Sequence, residues 1–170
     1  AADVDREAVL VATKGGFVPF DGERPADPGQ FIREEYLDTG LVGPDDLVRG
    51  QHCIAPEYID DQLDRSLENL GLDTVDLYYV HNPETQLEGK SRAAVYDQLE
   101  DTFTRLEERA ADGDLRHYGV ASWESFRVGQ DDDSYLSLPE IVSRARTASD
   151  RAETDSTHLR AIQLPFNVFM

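Results

Sequence analysis

Apolar residues along this chain fall into short continuous runs separated by longer periodic segments. Residues 9–13 (VLVAT) form a β-branched run closed by Lys14-Gly15-Gly16, the pattern of a buried strand that ends in a turn. Residues 75–80 (VDLYYV), 117–121 (HYGVA) and 161–164 (AIQL) repeat that pattern. Between the runs the period changes. Over 57–70, Ile59, Leu63, Leu67 and Leu70 fall at helical spacing, which predicts a helix with one buried face. Pro56 and the acids Glu57, Asp60 and Asp61 suit its first turn, and Gly71 suits its end. Over 92–112 the stripe is Tyr96, Leu99, Phe103, Leu106 and Ala110, stopped by Gly113. Ser137-Leu-Pro-Glu140 is a capping box that opens a helix to about Ala148. Residues 17–56 show no sustained period and are rich in Gly, Pro and Asp; one or two helical turns are expected around 31–37.

The order β-α-β-α-β-α-β predicts parallel strands joined by right-handed crossovers. It fits a (β/α)8 barrel or a doubly wound open sheet. No repeat, low-complexity tract or linker divides the chain, so 1–170 reads as a single domain. A complete (β/α)8 barrel takes roughly 250 residues. The barrel reading therefore predicts a partial barrel in these 170 residues.

Charge narrows the partners. Acids outnumber bases 35 to 16, for a formal charge of −19, which repels phosphate backbones and anionic lipid. Nucleic acid and membrane surfaces are not expected partners. The acids are 21 Asp and 14 Glu; the bases are 14 Arg and only Lys14 and Lys90. At molar salt the Debye length is about 3 Å, so such a surface is screened. The pattern reads as halophilic adaptation, with an archaeal source expected. An ordinary acidic domain is the plainer alternative. Cys53 is the only cysteine, so no intrachain disulfide forms. No signal-like segment opens the chain and no apolar stretch approaches the ~20 residues of a membrane span, so a cytoplasmic location is expected.

In a barrel, chemistry gathers at the C-terminal strand ends. Those ends carry Lys14, His81 and Ser122, with Gln163 inside the last run. Taken singly, each has a plainer role: a loop charge, a turn residue, or a cap for loop backbone. Lys14 stands out because Arg fills nearly every other basic position. Lys is a compact charge able to tune a neighbour's pKa. Other constellations fail. His52-Cys53 with His117 lacks metal spacing, and Asp131-Asp132-Asp133 reads as a solvated loop, so no metal is expected. Gly15-Gly16 is no phosphate loop, and no G-x-S-x-G elbow is present. Tyr78 and Tyr79 read as packing residues.

Residues 66–83 (SLENLGLDTVDLYYVHNP) resemble the aldo-keto reductase signature, a helix with S-L-x-x-L followed by D-x-x-D-L-Y-x-x-H-x-P. VLVATK resembles the family's strand ending in its catalytic lysine, YGVASW its G-V-S-N-[FYW] segment, and AIQLPFN its Q-x-x-[YF]-N segment. The matches keep the family's order from about residue 9 to 167. The first is specific; the others are weak singly and strong together. The resemblance implies approximately strands three to six of a (β/α)8 barrel, with the N-terminal and C-terminal strands absent.

It also implies roles. Lys14 takes the place of the catalytic lysine and His81 that of the catalytic histidine. Ser122 stands where the family usually has the Asn that holds the nicotinamide carboxamide, and Ala121 where it has Ser. Gln163 matches the Gln on the same carboxamide, and Asn167 the Asn that follows. The family's catalytic Asp and Tyr lie upstream of the lysine strand and are not expected in this chain. The implied activity is NAD(P)H-dependent reduction of aldehydes or ketones to alcohols, with NADP expected and NAD the alternative. The other readings are a non-catalytic nicotinamide-sensing regulatory barrel and an inactive product of a split gene. Unpaired outer strands would favour self-association.

Overall fold

The computed structural model describes residues 5–20 and 22–166. Four strands form one sheet: β1 (Ala12–Gly15), β2 (Val75–His81), β3 (Leu115–Ala121) and β4 (Leu159–Gln163). Their spatial order is β1-β2-β3-β4, and every neighbouring pair is parallel. A doubly wound sheet reverses its order at a switch point. This sheet never reverses, so each crossover steps the same way and the helices stack on one face. The architecture is α/β, an arc of a (β/α)8 barrel.

Sequence explains each helix. In α2 (Pro56–Leu70) the first turn opens on Pro56, and Gly71 leaves the helix in the left-handed region at φ 63°. In α3 (Arg92–Asp112), Ser91 Oγ accepts from Ala94 N at 3.2 Å and Gly113 turns the chain off at φ 93°. In α4 (Leu138–Arg151), Ser137 Oγ accepts from Glu140 N, the N-cap that the capping box predicts. These helices bury Ile59, Leu63, Leu99, Phe103, Leu106 and Ile141 against Tyr78, Val80, Tyr118 and Val120 of the sheet. The alternate residues Leu77, Tyr79 and His81 point to the other face and are half-buried.

The structure also departs from the periodicity. β1 begins at Ala12, and Val9 and Leu10 are exposed. The Val11 N–H is held by Asp76 Oδ2 at 2.8 Å, a side chain in place of a ladder partner. β4 begins at Leu159, with a register shift opposite Tyr118 and Gly119. Leu70, expected on the buried stripe, is exposed where α2 ends and the chain turns toward β2. The stretch 17–56 contains α1 (Pro28–Ile32), which passes into a π turn at Arg33–Leu37. The two ends of the stretch are tied together just beyond β1, by Val18 N to Gln51 O and Cys53 N to Gly16 O, both 2.8 Å. It buries Tyr36, Cys53 and Ile54 completely. Among the described residues no helix is long and apolar enough to cross a membrane.

Candidate active site

The register sets the layers of the helix-free face. Lys14 pairs with Tyr79, Tyr79 with Gly119, and Gly119 with Ala161. One layer further toward the C-terminal ends, His81 pairs with Ala121 and Ala121 with Gln163. Strand residues two apart share a face, so Lys14 and His81 project on the same side. Gly119 keeps this face open: a Cβ there would lie 2.9 Å from the Tyr79 ring and 2.4 Å from Ala161 O.

Lys14, His81, Ser122 and Gln163 line one cleft of about 230 Å³. Asn82 adds to its polar side, and Ala121, Trp123, Leu164 and Pro165 supply its apolar lining. Asn167 lies outside the described residues. Among the described residues Lys14 makes no ion pair, although the chain carries 35 acids. His81 feels that ammonium. Burial first, then the Lys14 ammonium and the neighbouring His52 imidazole, pull its imidazole down to about 4, with Glu84 opposing. His81 is therefore neutral at pH 7, able to donate a hydrogen bond without carrying charge.

The βα loops hold these groups through backbone. Asn82, in the left-handed region at φ 47°, donates its N–H to Ala121 O at 2.6 Å. Ser122 N donates to Gln163 O at 3.0 Å. Glu84 Oε1 accepts from Ser122 Oγ (3.0 Å), Trp123 N (2.8 Å) and Glu124 N (3.1 Å), tying the loop after β2 to the loop after β3. Ser122 Oγ also accepts from Ser125 N at 2.9 Å. Its proton is committed to Glu84, which leaves one lone pair for an incoming N–H.

These residues fit an amide ligand. Gln163 is exposed in the cleft and its side chain makes no hydrogen bond among the described residues, so it can both give to and take from a carboxamide. Ser122 can accept a carboxamide N–H where the family's Asn would both donate and accept. Among the described residues no group of three or more His, Cys, Asp or Glu is placed to hold a metal. Glu84 and Gln86 carry no signal in the sequence, and His52 shows there only as part of a rejected metal constellation. Their roles depend on contacts across 29 to 38 residues, which no local spacing signals.

An arc of parallel strands with polar groups gathered at the C-terminal ends defines a protein of the α/β-barrel class. The sequence profile of the aldo/keto reductase family matches residues 1–131, and the chain belongs to that family. The mouse (Mus musculus) protein aldo-keto reductase family 1 member C13 is 34% identical over 108 residues, 56% of this chain and 33% of that protein. The solved aldo-keto reductase AKR11C1 from Bacillus halodurans (holo form) superposes with a TM-score of 0.53, at 18% identity, over 95% of this chain and 35% of that one. That structural likeness speaks for the fold alone. The chain spans about a third of the length of these relatives.

Proposed function

We propose that this chain supplies the lysine–histidine side of a carbonyl-reducing active site that works with NADPH, or with NADH as the alternative, and turns small aldehydes or ketones into alcohols. The observation that carries this reading is the placement of Lys14 and His81 on one face of adjacent strands, in a cleft shared with an unengaged Gln163. The bound nicotinamide would supply the hydride. Gln163 and Ser122 would hold its carboxamide. His81, neutral because burial and Lys14 oppose its protonation, would donate a hydrogen bond to the substrate carbonyl and fix its direction. Lys14, with no acid beside it among the described residues, would lower the pKa of a proton-donating phenol, which otherwise titrates near pH ~10. The family resemblance assigns that phenol to a tyrosine on strands beyond these four. The single-domain arc is accordingly proposed to work within a completed barrel.

The test is to complete the barrel with the remaining strands of a relative and follow cofactor absorbance across a panel of carbonyl compounds. Lys14→Met is expected to cut turnover by about a hundredfold or more while cofactor binding, followed by fluorescence, survives. His81→Ala should lower turnover through lost carbonyl orientation. Turnover within a factor of two of the parent in Lys14→Met would overturn the mechanism. A completed barrel that binds cofactor and reduces nothing would point to a nicotinamide-sensing role.

A further inference from the structure

The strongest unassigned feature beside the site is His52. It is completely buried on the segment that leads into α2, and nothing in the lysine–histidine chemistry uses it. Its ring is held at both nitrogens. Gln86 Nε2 lies 2.8 Å from Nδ1, and the same amide nitrogen donates to the His52 carbonyl at 3.0 Å. A carbonyl only accepts, so this atom of Gln86 is a donor, and Nδ1 must be an acceptor. The other nitrogen, Nε2, lies 2.8 Å from the carbonyl oxygen of His81 and must carry the proton. The neighbours thus specify one neutral tautomer. A second proton on Nδ1 would meet the N–H of Gln86 head on, and burial also lowers the pKa of this imidazole.

The bond falls where the sheet stops supplying structure. Gly15 pairs with Val80, and at Gly16 the chain swings away from β2 with φ 151°. Beyond that point the His81 carbonyl is met by an imidazole N–H. The N–H on the far side of the same peptide, Asn82 N, is held by Ala121 O at 2.6 Å. The peptide that follows His81 is therefore pinned from both flanks. Phe17 sits edge-on to both imidazoles, 4.7 Å from His52 and 5.2 Å from His81, and limits the swing of either ring.

We propose that His52 is a positioning residue for His81: as its neutral Nε2–H tautomer, selected by Gln86, it holds the His81 carbonyl and so aims the His81 imidazole into the cleft beside Lys14. The proposal rests on His81 being the group that orients the substrate carbonyl. His52 touches no reacting atom; it acts through the backbone of the residue that does.

Two measurements test it. In the unmodified protein, long-range nitrogen–proton NMR correlations should show His52 as the Nε2–H form, with a slowly exchanging proton, at every pH where the fold persists. A Nδ1–H form or a titrating His52 would overturn the proposal without any variant being made. The second measurement is the titration of the His81 ring, whose ionisable neighbours are Lys14 on β1, Glu84 and the neutral His52. In His52→Leu the ring should loosen toward solvent, and its midpoint should rise from about 4 toward the ordinary 6.5. In the complete enzyme the same variant should lose about ten- to a hundredfold in kcat with cofactor affinity unchanged. His52→Gln, which keeps a donor at the ε position, should restore most of both. An unmoved His81 titration with kcat within twofold, or equal losses in His52→Leu and His52→Gln, would sink the idea. Should no carbonyl compound be reduced at all, the functional reading fails, while the tautomer and the His81 titration still decide whether His52 positions that ring.

Discussion

Gly16 carries the tightest steric demand beside the site. A Cβ there would stand 2.7 Å from the His81 carbonyl oxygen and 3.2 Å from both His52 Nε2 and His81 Cβ, at a φ of 151° that side chains rarely adopt. The carbonyl cannot retreat, because His52 and Ala121 hold its peptide from either side. Gly16→Ala is therefore expected to destabilise the fold by about 1–3 kcal/mol and to shift the His81 ring resonances. Gly129→Ala is the control. A Cβ at Gly129 meets nothing within 4 Å, so its effect should stay within about 0.5 kcal/mol. Equilibrium urea unfolding of the two variants checks the difference, and equal effects would remove the steric argument.

Between elements, one buried carboxylate ties the entry of β4 to α3. Glu107 is completely buried and accepts from Tyr118 Oη, Thr157 Oγ1 and His158 N, each at 2.8 Å, and from the His158 ring. Burial alone would raise its pKa; the hydrogen bonds, led by those from His158, outweigh it and hold the carboxyl below the usual range. A depressed carboxyl pKa stabilises the fold above its unfolded value near 4.5, and that contribution fades as pH falls through the lower folded value. Thermal melts of the parent should therefore lose stability on acidification below about pH 4.5. Glu107→Gln should be less stable at pH 7 by about 1–3 kcal/mol, because donors are left unpaired, and should show a shallower acid slope. Parallel slopes would show that Glu107 is not the group responsible. This network also marks the limit of what the sequence reveals. Four strands and three helices are legible because burial on one face imposes a local period. Lys14, His81, Ser122 and Gln163 are legible because strand ends are. Glu107 lies in a helix whose acids look alike, and apart from Tyr118 its donors come from about 50 residues away. His52 is hidden for the same reason. The stretch 17–56 carries no period because its packing is irregular, with a π turn and long-range backbone bonds in place of a repeating face.

For the whole molecule, charge is the force of longest range. Arginines are shared among acids: Arg109 bridges Asp60, Asp64 and Asp114, and Arg144 bridges Glu140, Asp97 and Glu100. Pairs with an exposed partner, such as Arg144 with Asp97, contribute about 0–1 kcal/mol each and weaken in salt, while those of the buried Arg109 are screened less. Against them stands a net charge of −19, whose self-repulsion salt relieves. With 35 acids to 16 bases, repulsive neighbours outnumber attractive ones, so relief should win. The sheet adds a second consideration. Among the described residues β1 and β4 are its outer strands, each paired on one side only, and a less repulsive surface lets such edges meet. The melting temperature should therefore rise from low to molar KCl, with light scattering run alongside to separate stability from self-association. Screening saturates as the Debye length falls to about 3 Å near 1 M, so the gain should flatten there. A rise that continues undiminished in stronger salt would indicate salting-out of apolar surface, and a flat or falling curve would remove the halophilic reading of the acidic surface.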